Sequence, residues 1–126
     1  MEKIKLNDGK EYPIFFDYNV LSDFQEKYGD VAALTDKMKC LKDLKWIVSS
    51  VINEAIRKKN YENGTSDPEI SEFYVGMWLP TFPQETVDAI MRAFKASMGD
   101  EKNVKAATAA AGKMKQSLTR AATTAK

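Results

Sequence analysis

The side chains that most often carry chemistry are sparse in this chain, and they do not gather. Among 126 residues there is no histidine and one cysteine, Cys40. Without imidazole there is no His-based general acid or base, no Ser-His-Asp or Cys-His pair and no His-containing zinc site. A single thiol cannot complete a thiolate zinc site. The six glycines (Gly9, Gly29, Gly64, Gly76, Gly99, Gly112) stand apart, so neither a Walker A loop nor a GxGxxG turn is present. Asp8-Gly9 reads as a turn and lacks the spaced acids of a calcium loop. Carboxylates and lysines are plentiful, but no spacing favours a site built from them. The expectation is a protein without catalytic, metal-binding or cofactor-binding residues.

Surface is what remains. The segment Phe73-Tyr74-Val75-Gly76-Met77-Trp78-Leu79-Pro80-Thr81-Phe82 is too uniformly apolar for one helix face. Either its own domain packs it on several sides, which is the default for large aromatics, or part of it is displayed for a partner. In the second case Tyr74, Trp78 and Phe82 are the candidate anchors, of the kind that dominate interface energies. A second candidate lies near the C-terminus. Val104, Ala107, Ala111, Met114, Leu118 and Ala121 alternate spacings of three and four, the seam of a coiled coil or of a docking helix. Against that stands the plainer reading of a solvated tail. Val104, Met114 and Leu118 are the partner-binding candidates there.

These candidates need a framework, and the chain is sized for one domain with a single core: 44% of its residues are hydrophobic. Ile4 and Leu6 alternate with lysines, and Tyr12, Ile14 and Phe16 alternate likewise, so the pattern predicts a hairpin. A three-residue turn with Gly9 left-handed pairs Ile4 with Tyr12 and Leu6 with Lys10, placing all five apolar residues on one side. Pro13 confines its strand to an edge, or to a place where its missing donor is not needed. Asp17 or Asn19 can cap a helix carrying Val20, Leu21, Phe24 and Tyr28, which Gly29 ends.

Val31, Leu34, Met38 and Leu41 continue at helical spacing, as a short helix or an irregular turn. Leu44, Ile47, Val48, Val51, Ile52, Ala55 and Ile56 give the broadest apolar face, expected on a central helix with its bases gathered at the C-terminal end. Residues 60–66 read as a loop. Asp67-Pro68-Glu69 then reads as the cap and first turn of a helix running to about Leu79. Pro80 and Pro83 bracket a break, and a last helix carries Val87, Ile90, Met91, Phe94 and Met98 before Gly99. The expected fold is mainly α (α+β): a small N-terminal hairpin packed on four to five helices over residues 1–99, followed by a low-complexity basic tail over 100–126.

Charge and compartment narrow the function further. From Gly99 onward six bases face two acids, leaving 13 bases and 16 acids before it, so a mildly acidic body carries a basic tail. The net charge of +1 argues against a dedicated nucleic-acid binder. Cys40 fits a reducing compartment and is expected as a small buried hydrophobe. No apolar run approaches the roughly 20 residues of a membrane span. Asn63-Gly64-Thr65 matches a glycosylation acceptor, which in a cytosolic protein is a turn.

The stretch KIKLNDGKEYPIFFDYNVLSDFQEKYG, followed by a long apolar helix, resembles the tail assembly chaperones of long-tailed bacteriophages. Their N-terminal pattern is a strand ending in Phe-Asp-x-Asn, then a Leu- and Glu-rich helix closed by Gly. Phe16, Asp17, Asn19, Leu21, Phe24, Glu26 and Gly29 match it. The likeness covers residues 3–58 as a pattern and 67–98 as architecture only. It implies a non-enzymatic protein of the infected bacterial cytoplasm, absent from the finished virion. Such a protein binds the tape measure protein, keeps it soluble and helps recruit tail tube protein around it. The resemblance also implies that a longer frameshifted form can exist, and the hairpin edge is a candidate for homo-oligomer contacts. The competing expectations are a head-tail connector or tail completion protein, a small helical nucleic-acid-binding protein using the basic tail, and a host adaptor.

Overall fold

The computed structural model describes residues 1–98; the expectations for Gly99, Val104, Met114, Leu118 and the rest of 99–126 lie outside them. Strands β1 (Lys3–Lys5) and β2 (Glu11–Pro13) form an antiparallel hairpin in the predicted register, with Ile4 opposite Tyr12. The flanking bonds are Leu6 N–H to the Lys10 carbonyl at 3.2 Å and Ile14 N–H to the Glu2 carbonyl at 2.9 Å. Gly9 adopts φ +84, the left-handed turn position that penalises any residue with a Cβ. Ile4, Leu6, Ile14 and Phe16 are buried, and Tyr12 is half-buried beside them. The two-residue period therefore delivers one apolar face to the helices, which an isolated ribbon of this size needs.

Helix α1 (Tyr18–Tyr28) starts at Asp17, whose carboxylate accepts the Val20 N–H at 3.1 Å. Asn19, the other candidate cap, instead donates to Glu54. Gly29, at φ 91, closes the helix. A 3₁₀ turn (Val31–Ala33) and the single-turn α2 (Leu34–Lys37) follow, burying Val31, Leu34 and Met38. Leu41 does not join that stripe. It is 61% exposed because it opens the next helix on the solvent side. Cys40 is a second correction: it stands at the N-cap of that helix in extended conformation and is exposed, not buried.

The central helix α3 (Leu41–Asn63) is the spine of the molecule. Leu44, Ile47, Val48, Val51, Ile52 and Ala55 are buried, and Ile56 packs at the margin. It runs further than the pattern predicted, since Tyr61, Glu62 and Asn63 are helical and Gly64 (φ 66) supplies the left-handed stop, its N–H bonded to the Asn60 carbonyl. Arg57, Lys58 and Lys59 consequently sit a turn before the end, not in the last turn, where their partners are acids: Lys58 meets Glu62 at 2.6 Å.

The next segment overturns an expectation. Asp67-Pro68-Glu69 opens no helix; α4 (Glu72–Trp78) begins four residues later than expected, capped by Ser71, whose hydroxyl accepts the Tyr74 N–H at 3.0 Å. The cause lies on α3. Asn60 accepts the Asp67 N–H and donates to the Asp67 carbonyl, both at 3.0 Å. Asn53 does the same to Ile70, at 2.8 and 2.9 Å. Each amide imitates the paired bonds of a neighbouring strand. Seven helical residues rise about 10.5 Å and three extended residues span about 10 Å, so the two asparagines match a straight chain and not a helical one. Lys59 to Asp67 (3.1 Å) and Arg57 to Glu69 (2.8 Å) pin the same strap.

Pro80 then requires an extended residue before it, and Leu79 adopts φ −68, ψ 134, ending α4. Helix α5 (Gln84–Met98) returns across the hairpin, burying Thr86, Ala89, Ile90, Ala93 and Phe94, while Val87 and Met91 are half-buried. Phe94 meets Phe16 edge to face at 5.0 Å, Arg92 pairs with Glu2 at 3.0 Å and the Ser97 hydroxyl donates to the Phe16 carbonyl. Among the described residues no helix is long and apolar enough to cross a membrane.

Candidate interaction surface

The surface around α4 is built on the hairpin turn. Asp8 accepts from the Tyr12 hydroxyl at 2.5 Å, from the Tyr74 hydroxyl at 2.6 Å and from the Lys10 N–H at 2.9 Å. Burial by itself would raise the Asp8 pKa, but these three bonds favour the anion and the net shift is downward. Tyr12 moves the opposite way, its hydroxyl held protonated by burial and by the adjacent carboxylate. One carboxylate thus ties the turn, β2 and α4 together across 66 residues of sequence. The Asn7 N–H adds a bond to the Trp78 carbonyl at 2.7 Å.

Helical geometry sorts the α4 side chains into two stripes. At about 100° per residue, Val75 and Leu79 point inward, and Tyr74 and Trp78 occupy one flank. Val75 is fully buried, and Tyr74 and Trp78 are half-buried, their rings 6.5 Å apart. Phe73, Gly76 and Met77 make up the outward stripe, with Phe73 76% and Met77 53% exposed. Gly76 lies under the aliphatic stem of Lys45, where an added Cβ would come within 2.9 Å of the Lys45 Cδ. Beyond the helix, Phe82 is 89% exposed. It stands with Pro80 beside an open cleft of about 730 Å³, whose opposite wall is β1 and whose far side is α5.

A second polar cluster lies under α1. Glu54 is 5% exposed, accepts from the Asn19 amide at 2.9 Å and meets Arg57 at 3.5 Å. Burial first, and then the neighbouring Asp17 carboxyl, push its pKa up; Asn19 and Arg57 only partly oppose this. Arg57 is committed more strongly to Glu69 through two parallel bonds of 2.8 and 2.9 Å, which lower the Glu69 pKa. The cluster joins α1, α3 and the strap. Among the described residues no group of His, Cys, Asp and Glu has the arrangement to hold a metal ion.

Of the six residues singled out from sequence, Tyr74 and Trp78 lie together on the hairpin-turn flank of α4, Phe82 stands apart at the cleft, and Val104, Met114 and Leu118 lie outside the described residues. Tyr74 and Trp78 are engaged inside the molecule, whereas Phe82 is displayed. Phe73 and Met77 were missed. Their signal is conditional: with Val75 known to point inward, positions two before and two after it face outward. Comparisons with protein families, with curated proteins and with solved structures return no match to this chain.

Proposed function

We propose that this chain is a non-catalytic binding protein of the tail assembly chaperone type, which holds a phage tape measure protein soluble in the host cytoplasm and promotes tail tube assembly around it. The observation that carries the reading is the display of Phe73, Met77 and Phe82 on a framework held firmly from beneath. Large apolar residues exposed on one short helix, Phe73 and Met77, and on the segment that follows it, Phe82, are the usual mark of a polypeptide-binding surface. Such a surface covers an apolar helical stripe by groove packing, with aromatic anchors supplying the affinity and a methionine adapting to differing side chains. The N-terminal resemblance supplies the identity of the partner. A protein with this task leaves the particle once assembly is complete.

The test is co-expression with the tape measure protein encoded in the same genome. Wild type should carry it into the soluble fraction, and the triple variant Phe73→Ser, Met77→Gln, Phe82→Ser should lose most of that effect while keeping its helical circular dichroism. A tape measure protein equally insoluble with and without the wild-type chain would overturn the function. Full solubilisation by the triple variant would overturn the surface. Finding the chain in purified virions by mass spectrometry would favour a connector or completion protein instead.

A further inference from the structure

The hairpin has two outer edges, and they are built differently. On β2 the outward main-chain groups belong to Glu11 and Pro13; Pro13 has no N–H, and this strand packs against α3. On β1 the bonded pairs Glu2–Ile14, Ile4–Tyr12 and Leu6–Lys10 turn the main-chain groups of Lys3, Lys5 and Asn7 outward. Pairing along this edge has already begun: the Asn7 N–H donates to the Trp78 carbonyl, next to extended Leu79. The chain then turns away through Pro80 to Phe82. The outward groups of Lys3 and Lys5 have no partner among the described residues and face the cleft of about 730 Å³.

We propose that this cleft receives an extended, acidic segment of a partner polypeptide as a third strand on β1. Charge selects the occupant. A strand added here places alternate side chains opposite Lys3 and Lys5 on the exposed face, where opposite charges stabilise and like charges destabilise. A second copy pairing edge to edge about Ile4 would set Lys3 against Lys5 and Lys5 against Lys3, the arrangement by which edge lysines prevent self-association. The C-terminal segment of this chain, with six bases and two acids after Met98, carries the same sign as the edge. On the α5 wall Glu85 and Asp88 repel carboxylates and Arg92 is engaged by Glu2, so the acidic side chains of the partner belong on the lysine side, where Glu11, opposite Lys5 on β2, lies one strand further away. The intervening side chains lie on the face of Ile4 and Leu6, both buried, and beside Phe82. The recognised chemistry is therefore Asp or Glu alternating with apolar residues over about five positions, and it stands independently of the tape measure reading.

A fluorescein-labelled, end-blocked octapeptide alternating Glu and Val is the probe, used with the full-length protein. Binding should saturate, weaken with added salt and protect the Lys3 and Lys5 amides from hydrogen exchange. Lys3→Glu, opposite Pro13, with Lys5→Gln, which sets no like charge against Glu11, should weaken it about tenfold and create binding of the corresponding Lys/Val peptide. Methylating the peptide amides on one side of the strand should abolish binding, and on the other side leave it intact. Absence of saturable binding, or indifference to which amides are methylated, would overturn the proposal. So would protection of the Lys3 and Lys5 amides without peptide, whether it rises with protein concentration (a second copy) or disappears on deleting residues 99–126 (the chain's own tail).

Discussion

Helices α3 and α4 are both rich in large apolar side chains, yet α3 buries its apolar face and α4 divides its own. On α3 the stripe from Leu44 to Ala55 touches α1, β2 and α4, and the large apolar residues left exposed, Leu41 and Tyr61, stand at the two ends of the helix. On α4 only Val75 is fully buried; Tyr74 and Trp78 serve the hairpin turn, and Phe73 and Met77 face water. Hydrophobic content therefore does not separate core from interface in this molecule. What separates them is the number of sides on which the helix is covered, and α4 is covered on two.

The sharpest way to break the comparison is to truncate one residue in each helix. Leu44→Ala removes a side chain with no exposure and should cost about 2–5 kcal/mol by denaturant unfolding. Phe73→Ala removes a larger ring and should change stability by less than about 0.5 kcal/mol, because the ring is mostly solvated already. Comparable losses would mean that Phe73 is part of the core and that α4 offers no free stripe.

The strap before α4 comes next in size. Asn53 satisfies both main-chain groups of Ile70 in a half-buried setting, so Asn53→Ala leaves a donor and an acceptor without partners and should cost about 1–3 kcal/mol. Asn60→Ala acts at an exposed site, where water replaces the amide, and should cost less. Protection of the Ile70 amide in hydrogen exchange should fall in the first variant and persist in the second. An equal effect at both positions would show that the strap is held by its ion pairs instead.

These two helices also mark where sequence was sufficient. The hairpin register followed from the alternation of Ile4, Leu6, Tyr12, Ile14 and Phe16 around Gly9, and the helix after it followed from local chemistry with its cap narrowed to Asp17 or Asn19, because both signals act within a few residues. The α3 face was legible for the same reason. The start of α4 was not. Asp-Pro-Glu is a good local helix opening, but Asn53 and Asn60 claim that backbone from a distance, and nothing in residues 67–69 records them. Cys40 failed similarly: small apolar residues are usually buried, but a helix cap on the outer side of the fold is not. For the candidate surface the segment was legible and the stripe was not, since choosing Phe73 and Met77 over Tyr74 and Trp78 requires knowing that the hairpin turn occupies the latter flank.

Tyr74→Phe tests that flank directly. The variant keeps the ring and removes one of three bonds to the Asp8 anion, for an expected loss of about 1–2 kcal/mol at neutral pH. Asp8 has a lowered pKa in the folded protein, so its contribution is present above the ordinary carboxylate value and is lost as pH falls through the folded value. With one stabilising bond fewer, the folded Asp8 pKa moves up toward the ordinary value, so the variant has less stability to lose to acid and completes that loss at higher pH. A thermal melting series from pH 7 downward should therefore converge toward wild type at low pH, where Asp8 is protonated in both proteins. A constant offset at every pH would assign the loss to packing, not to the anion.

Glu54 carries the smallest effect, and its sign is opposite. Burial and the Asp17 carboxyl raise its folded pKa above the unfolded value, so its favourable contribution is complete below the unfolded value and disappears as pH rises through the folded one. Above its raised pKa the ionised group sits in a buried place that disfavours charge. Glu54→Gln keeps an oxygen to accept from Asn19, provides an amide that can donate to Asp17, and leaves the forked Arg57–Glu69 pair intact. Its melting temperature should match wild type near pH 4, where Glu54 is protonated, and exceed it increasingly toward pH 8. If the variant is instead less stable at pH 8, the Glu54–Arg57 attraction outweighs desolvation and the carboxylate holds α1 to α3 as an anion. In that case the junction beneath α1 follows the same rule as Asp8 at the hairpin turn, and the two ends of the molecule are held by one kind of bond.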